Sequence, residues 1–98
     1  MNKKRATQQQ PMTDTVRLWL AERTYTDRDL VVLIYATPDG SQQLRKEFAS
    51  TMLARTTVTA AVDVEPDRLD SVDDAETCER YAAEIERLRA DHEPNDPV

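Results

Sequence analysis

The segment Leu30-Val31-Val32-Leu33-Ile34-Tyr35-Ala36 is apolar from end to end and closes on Thr37-Pro38-Asp39-Gly40. A helix of that length is possible, but the residue types argue against it. Val31, Val32 and Ile34 favour extended backbone, and the closing tetrapeptide stops the segment with turn chemistry. An apolar run without alternation has no face to offer to water, so it predicts a strand covered on both sides. Any fold of this chain must build a sheet around it. With 98 residues in all, one domain can form and a second cannot.

The flanking patterns supply the remaining elements. Over residues 15–23, Val16, Leu18 and Leu20 alternate with Arg17, Trp19, Ala21 and Arg23, which predicts a first strand. Tyr25-Thr26-Asp27-Arg28-Asp29 then joins it to the central run as a hairpin. Leu44, Phe48, Thr51 and Met52 recur at helical spacing among Gln43, Arg45, Lys46 and Glu47, predicting a helix that ends near Ala54-Arg55. Residues 57–64 read as a third strand through Val58, Ala60, Val62 and Val64. A strand, helix and strand in succession imply a parallel crossover. A capping-box start at Ser71-Val72-Asp73-Asp74 opens a last helix with Ala75, Cys78, Tyr81, Ala82, Ile85 and Leu88 on its inner stripe. The expected class is α+β: a two-layer β-β-α-β-α fold with a three-stranded mixed sheet, made of a hairpin plus one parallel crossover, and two helices. Residues 13–90 form this single domain. Residues 1–12 read as a disordered tail and residues 91–98 as an acidic disordered tail, because neither carries a periodic apolar pattern.

The charge pattern bears on environment. Nineteen acidic residues face thirteen basic ones, for a net charge of −6, and only Lys3, Lys4 and Lys46 are lysines. A surface of short carboxylates and arginines, with self-repulsion that strong salt would screen, suits the salt-rich cytoplasm of a halophile. No apolar run approaches a membrane span, and Gln8-Gln9-Gln10-Pro11 stands where a signal peptide needs an apolar core. The expected location is cytoplasmic, with no membrane partner. A single cysteine, Cys78, forms no internal disulfide.

Most chemistries are excluded by residue type. The one glycine, Gly40, cannot build a phosphate-cradling loop, and Cys78 with His92 cannot supply a zinc site. Asp63, Glu65, Asp67, Asp70, Asp73 and Asp74 lack the turn glycine and the bidentate glutamate of a calcium loop, and Pro66 interrupts them. No nucleophile, base and orienting group come together, so the catalytic, metal and cofactor sites are all expected to be none. What remains is a sheet face. If both helices pack on one side, Arg17, Trp19 and Arg23, together with Leu33 and Tyr35, form a partly apolar surface that needs cover; if one helix crosses to each side, Trp19 is ordinary core. This points to a non-catalytic interaction module, either a homodimer or a binder of an unidentified protein partner, using that face or an exposed edge strand. The alternative is a weak nucleic-acid binder using Arg17, Arg23, Arg28, Arg45 and Arg55. Residues 1–62, with nine basic against six acidic residues, could present an arginine surface to an anion, but strong salt weakens phosphate contacts and the sequence holds no dense basic patch. A small-molecule enzyme without a recognisable motif ranks third.

The segments Val16-Arg17-Leu18-Trp19-Leu20, Tyr35-Ala36-Thr37-Pro38-Asp39-Gly40 and Val58-Thr59-Ala60-Ala61-Val62 resemble a family of small uncharacterised acidic haloarchaeal proteins. The likeness spans about residues 13–90 and implies a single domain in a salty cytoplasm. That family has no assigned activity, so the resemblance implies no functional residue.

Overall fold

A computed structural model describes residues 14–26, 28–53 and 55–98. The apolar run forms β2 (Leu30–Ala36), whose residues are buried from Val31 onwards, at the middle of a five-stranded sheet. Around it stand β1 (Val16–Tyr25), β3 (Gln42–Ala49), β4 (Ala61–Val64) and β5 (Asp70–Ser71), in the order β4-β1-β2-β3-β5. Every neighbouring pair is antiparallel. A short helix α1 (Ser50–Leu53) follows β3, a 3-10 turn spans Pro66–Arg68, and a long helix α2 (Ala75–Asp91) closes the sequence of elements.

This corrects the expected three-stranded mixed sheet with its parallel crossover. Of the residues read as one helix, Leu44 to Ala49 are a strand, paired with β2 from Leu30↔Ala49 to Ala36↔Gln43, and Thr51 and Met52 fall in the short helix α1. Leu44 and Phe48 are four residues apart, a spacing that suits a helix and a strand alike. The intervening tetrapeptide decides between them. Thr37 to Gly40 is a hairpin turn, with the Gly40 N–H donating to the Thr37 carbonyl at 2.7 Å and the Thr37 N–H to Gln42 at 3.0 Å. Gly40 adopts a φ of 76°, and proline and aspartate fill the preceding turn positions. With β3 already beside β2, the strand near residue 60 cannot join the centre. It pairs instead with β1, from Val16↔Val64 to Trp19↔Ala61.

Two apolar layers lie on opposite sides of the sheet. Trp19, Ala21, Val32, Ile34 and Ala36 face α2, which contributes Tyr81 and Ile85. Leu18, Val31, Leu33, Tyr35 and Leu44 face the other way, and Val58, Leu53 and Leu69 pack against them. The Tyr35 hydroxyl donates to the Thr59 carbonyl at 3.1 Å, which ties the covering segment down.

Helix α2 begins at a cap other than the one expected. Asp74 accepts from the Thr77 N–H at 3.0 Å and the Thr77 hydroxyl at 2.7 Å, while Ser71 belongs to β5. The chain after α2 also differs from the acidic tail expected over residues 91–98. It returns beside residues 58–61, with Ala61 N–H donating to Pro94, Ala60 N–H to Asp96 and Val98 N–H to Val58. Val98 packs against both apolar layers. The tail expected over residues 1–12 lies outside the described residues.

Candidate functional site

The five residues expected to share one sheet face are divided between two. Their division originates at Ala21, where β1 slips by one residue against β2 and the pairing jumps from Leu20↔Tyr35 to Glu22↔Ile34. An extra residue in one strand of a pair is a bulge, and it reverses the alternation beyond it. Arg17 and Trp19, before the bulge, therefore share the α2 side. Arg23, after it, shares the opposite side with its cross-strand neighbour Leu33 and with Tyr35.

None of the five presents a free binding surface. Trp19 is 7% exposed beneath α2, with the Arg89 guanidinium 5.3 Å from its ring centre. Leu33 and Tyr35 are 1% and 2% exposed. Arg17 grips Asp63 across the β1–β4 pair through Nε at 2.9 Å and Nη2 at 3.1 Å, which holds the Asp63 carboxyl below its usual range. Arg23 donates to the Val98 carbonyl oxygen at 3.1 Å. The arginines of the nucleic-acid reading are dispersed likewise. Arg45 pairs with Glu47 at 2.9 Å, and Arg28 and Arg55 stand on separate turns.

What the fold leaves open is the outer margin of β3. β5 pairs only with Gln42 and Gln43. Beyond them Leu44-Arg45-Lys46-Glu47-Phe48-Ala49 has β2 on one side and no strand on the other among the described residues. Antiparallel pairing sends backbone groups alternately inward and outward. The Val72 N–H bond to Ser41 at 2.9 Å fixes the phase, so Arg45, Glu47 and Ala49 turn their N–H and C=O groups outward. The charged side chains Arg45, Lys46 and Glu47 interrupt this edge, as they do where sheet edges must avoid indiscriminate pairing. Sequence reasoning named an exposed edge strand in general terms but placed a helix at these residues. Had Thr37-Pro38-Asp39-Gly40 been taken as a hairpin turn, β3 would have followed.

Beside this edge, on the α2 side, lies a cleft of about 390 Å³. Helix α2 packs chiefly on β1 and less on β2, and the cleft opens beyond it. Val32 and Ile34 lie in its lining, with Glu22, Arg45, Asp70 and Tyr81 around them. Glu22 holds Arg80 at 3.2 Å, whereas Asp70 makes no ion pair among the described residues. Tyr81 is 6% exposed, and its hydroxyl has no hydrogen-bond partner among the described residues. A larger hollow of about 710 Å³ against Pro38 and α2 is lined chiefly by Ala82, Ala83 and Ala90, and its charged groups are Glu79, Glu86 and Arg89. Cys78 donates weakly to the Val72 carbonyl at 3.4 Å, and His92 meets Leu88 at the end of α2, so both act within the fold.

The architecture is that of a small α+β protein, an antiparallel sheet with one helix-covered face and one incompletely paired edge. Residues 12–98 match the model of a family of unknown function, DUF7967, and the chain belongs to that family. Neither a curated protein nor a solved structure matches it. Among the described residues no helix is long and apolar enough to cross a membrane.

Proposed function

We propose that the chain is a non-catalytic protein-interaction module of a salt-adapted cytoplasm, accepting an extended segment of another protein as an added strand along β3. The observation that carries this reading is the row of outward backbone groups at Arg45, Glu47 and Ala49, which no described element pairs. Strand addition draws affinity from such main-chain groups and specificity from the neighbouring side chains.

A second copy of the chain suits this edge poorly. Two-fold pairing must match outward residues with outward residues. Setting Arg45 against Glu47 of a second copy brings that copy's Ala49 to Gln43, where Asp70 already sits. Moving by one repeat opposes Glu47 to its own counterpart, and moving by another draws the helical Ser50 into the ladder. A heterologous strand meets none of these obstacles.

The test is amide hydrogen exchange with a capped peptide of alternating valine and threonine. Arg45, Glu47 and Ala49 should exchange quickly in the protein alone and become protected when the peptide is added. Glu47→Pro removes an outward N–H without removing a bond to β2, so it should abolish that protection and leave the circular dichroism of the fold. Protection elsewhere, with these three amides unchanged, would overturn the proposal.

A further inference from the structure

We infer that the segment added along β3 carries a lysine or arginine opposite Arg45 or Glu47, and that its cationic head is received by the cleft between β3 and α2. This rests on the strand-addition reading. A residue opposite an outward member of β3 projects its side chain to the same face as that member. Arg45 and Glu47 alternate with Leu44 and Phe48, so they lie on the α2 side, and Arg45 itself lines the cleft. A side chain arriving there lies beside Arg45 and on the same face as Asp70, which pairs with Gln43 two residues back along this edge. Residues two apart along a strand are roughly 6.6 Å apart, so only a long side chain spans the distance to Asp70.

The chemistry of the cleft selects the head group. Arg45 is already neutralised by Glu47, and Glu22 by Arg80. Asp70 remains without an ion pair among the described residues, and the unpartnered Tyr81 hydroxyl adds an acceptor. Lysine and arginine carry their charge at the end of a long aliphatic stem, which lets it reach the polar end of the cleft. An acidic side chain in the same place would meet the unpaired Asp70. A second aliphatic side chain would leave Asp70 facing it without a partner.

Three capped hexapeptides, identical but for a central lysine, norleucine or glutamate, distinguish the two levels of the inference in an amide-shift titration at fixed salt. The lysine peptide should bind the wild-type protein about tenfold more tightly than the norleucine peptide, a ratio typical of a close charge pair. Asp70→Asn should erase that advantage while leaving the norleucine affinity unchanged, which also shows that the variant is folded. Glu22→Gln should reduce it less, because Glu22 is shared with Arg80. Equal binding of all three peptides, with shifts at Arg45, Glu47 and Ala49, would overturn the charge assignment and leave strand addition standing. Absence of shifts at those amides with every peptide would overturn both.

Discussion

Gly40 is where the hairpin and the helix meet. Its φ of 76° is one that L-residues avoid, and a Cβ placed there would land on the carbonyl of Cys78 in α2. Gly40→Ala therefore carries two penalties. It should lower stability by more than the roughly 1–2 kcal/mol of left-handed strain alone, measured as a shift of the urea midpoint. Next to it, Asp39 accepts from the Thr37 hydroxyl at 2.7 Å, the Ser41 N–H at 3.0 Å and the Ser41 hydroxyl at 2.8 Å. Led by the Thr37 bond, these hold its carboxyl down to about 2, from an ordinary value of 3.8. The folded state thus binds this proton less readily than the unfolded chain. The stabilisation is complete above pH ~4 and is lost as pH falls towards ~2. Asp63, held by Arg17, and Asp74, held by Thr77, are lowered too and act in the same direction. Thermal melts of Asp39→Asn should show a lower midpoint at neutral pH and a shallower acid limb, converging on the wild type near pH ~2. Unchanged curves would remove Asp39 from the acid transition.

At the scale of elements, β2 was legible because an unbroken apolar run has one stable environment. β3 was not. Gln43, Arg45, Lys46 and Glu47 are good helix formers, and the Leu44–Phe48 interval satisfies both periods. Pairing with the buried β2 outweighed local preference, and that pairing is non-local information. The candidate face failed for a different reason, since nothing in Ala21-Glu22 announces a bulge. The return of the chain after α2 was hidden as well. Its bonds to residues 58–61 are made by backbone groups, and among its side chains Val98 supplies the apolar anchor. Removing residues 94–98 should therefore uncover Val58, Ala60 and Ala61 and strand their backbone partners. We expect a loss of about 2 kcal/mol or more in chemical denaturation, rather than the neutrality of a tail. A truncated protein as stable as the full chain would show that this segment contributes nothing to the fold.

For the whole molecule, the four ion pairs found among the described residues use Asp63, Glu47, Glu22 and Glu84. The excess of acids is concentrated in the second part of the chain, with thirteen acidic against four basic residues over 63–98. Surface pairs of this kind contribute little individually, so they offset the net repulsion only in part. Raising KCl from dilute buffer to molar concentration should increase the melting midpoint by screening that repulsion. A midpoint that stays level or falls would remove the salt adaptation from the proposed role. The same screening leaves the backbone ladder along β3 intact and weakens the cationic contact at Asp70, so peptide selectivity should narrow as salt rises.

The slip at Ala21 works like a half-step inserted into a screw thread. Upstream of it, odd-numbered β1 residues meet α2, and downstream the even-numbered ones do, which is how Trp19 and Glu22 both come to lie under the same helix. Deleting Ala21 would restore a single rhythm to β1. Leu20 and Glu22 would then be neighbours opposite the neighbours Tyr35 and Ile34, so Glu22 would stay beside Arg80 and Arg23 on the other face, and only the extra apolar contact of Ala21 against α2 would be lost. One small residue is thereby taken up without disturbing the ladder on either side of it, and Trp19, Ala21 and Glu22 all come to face the one helix.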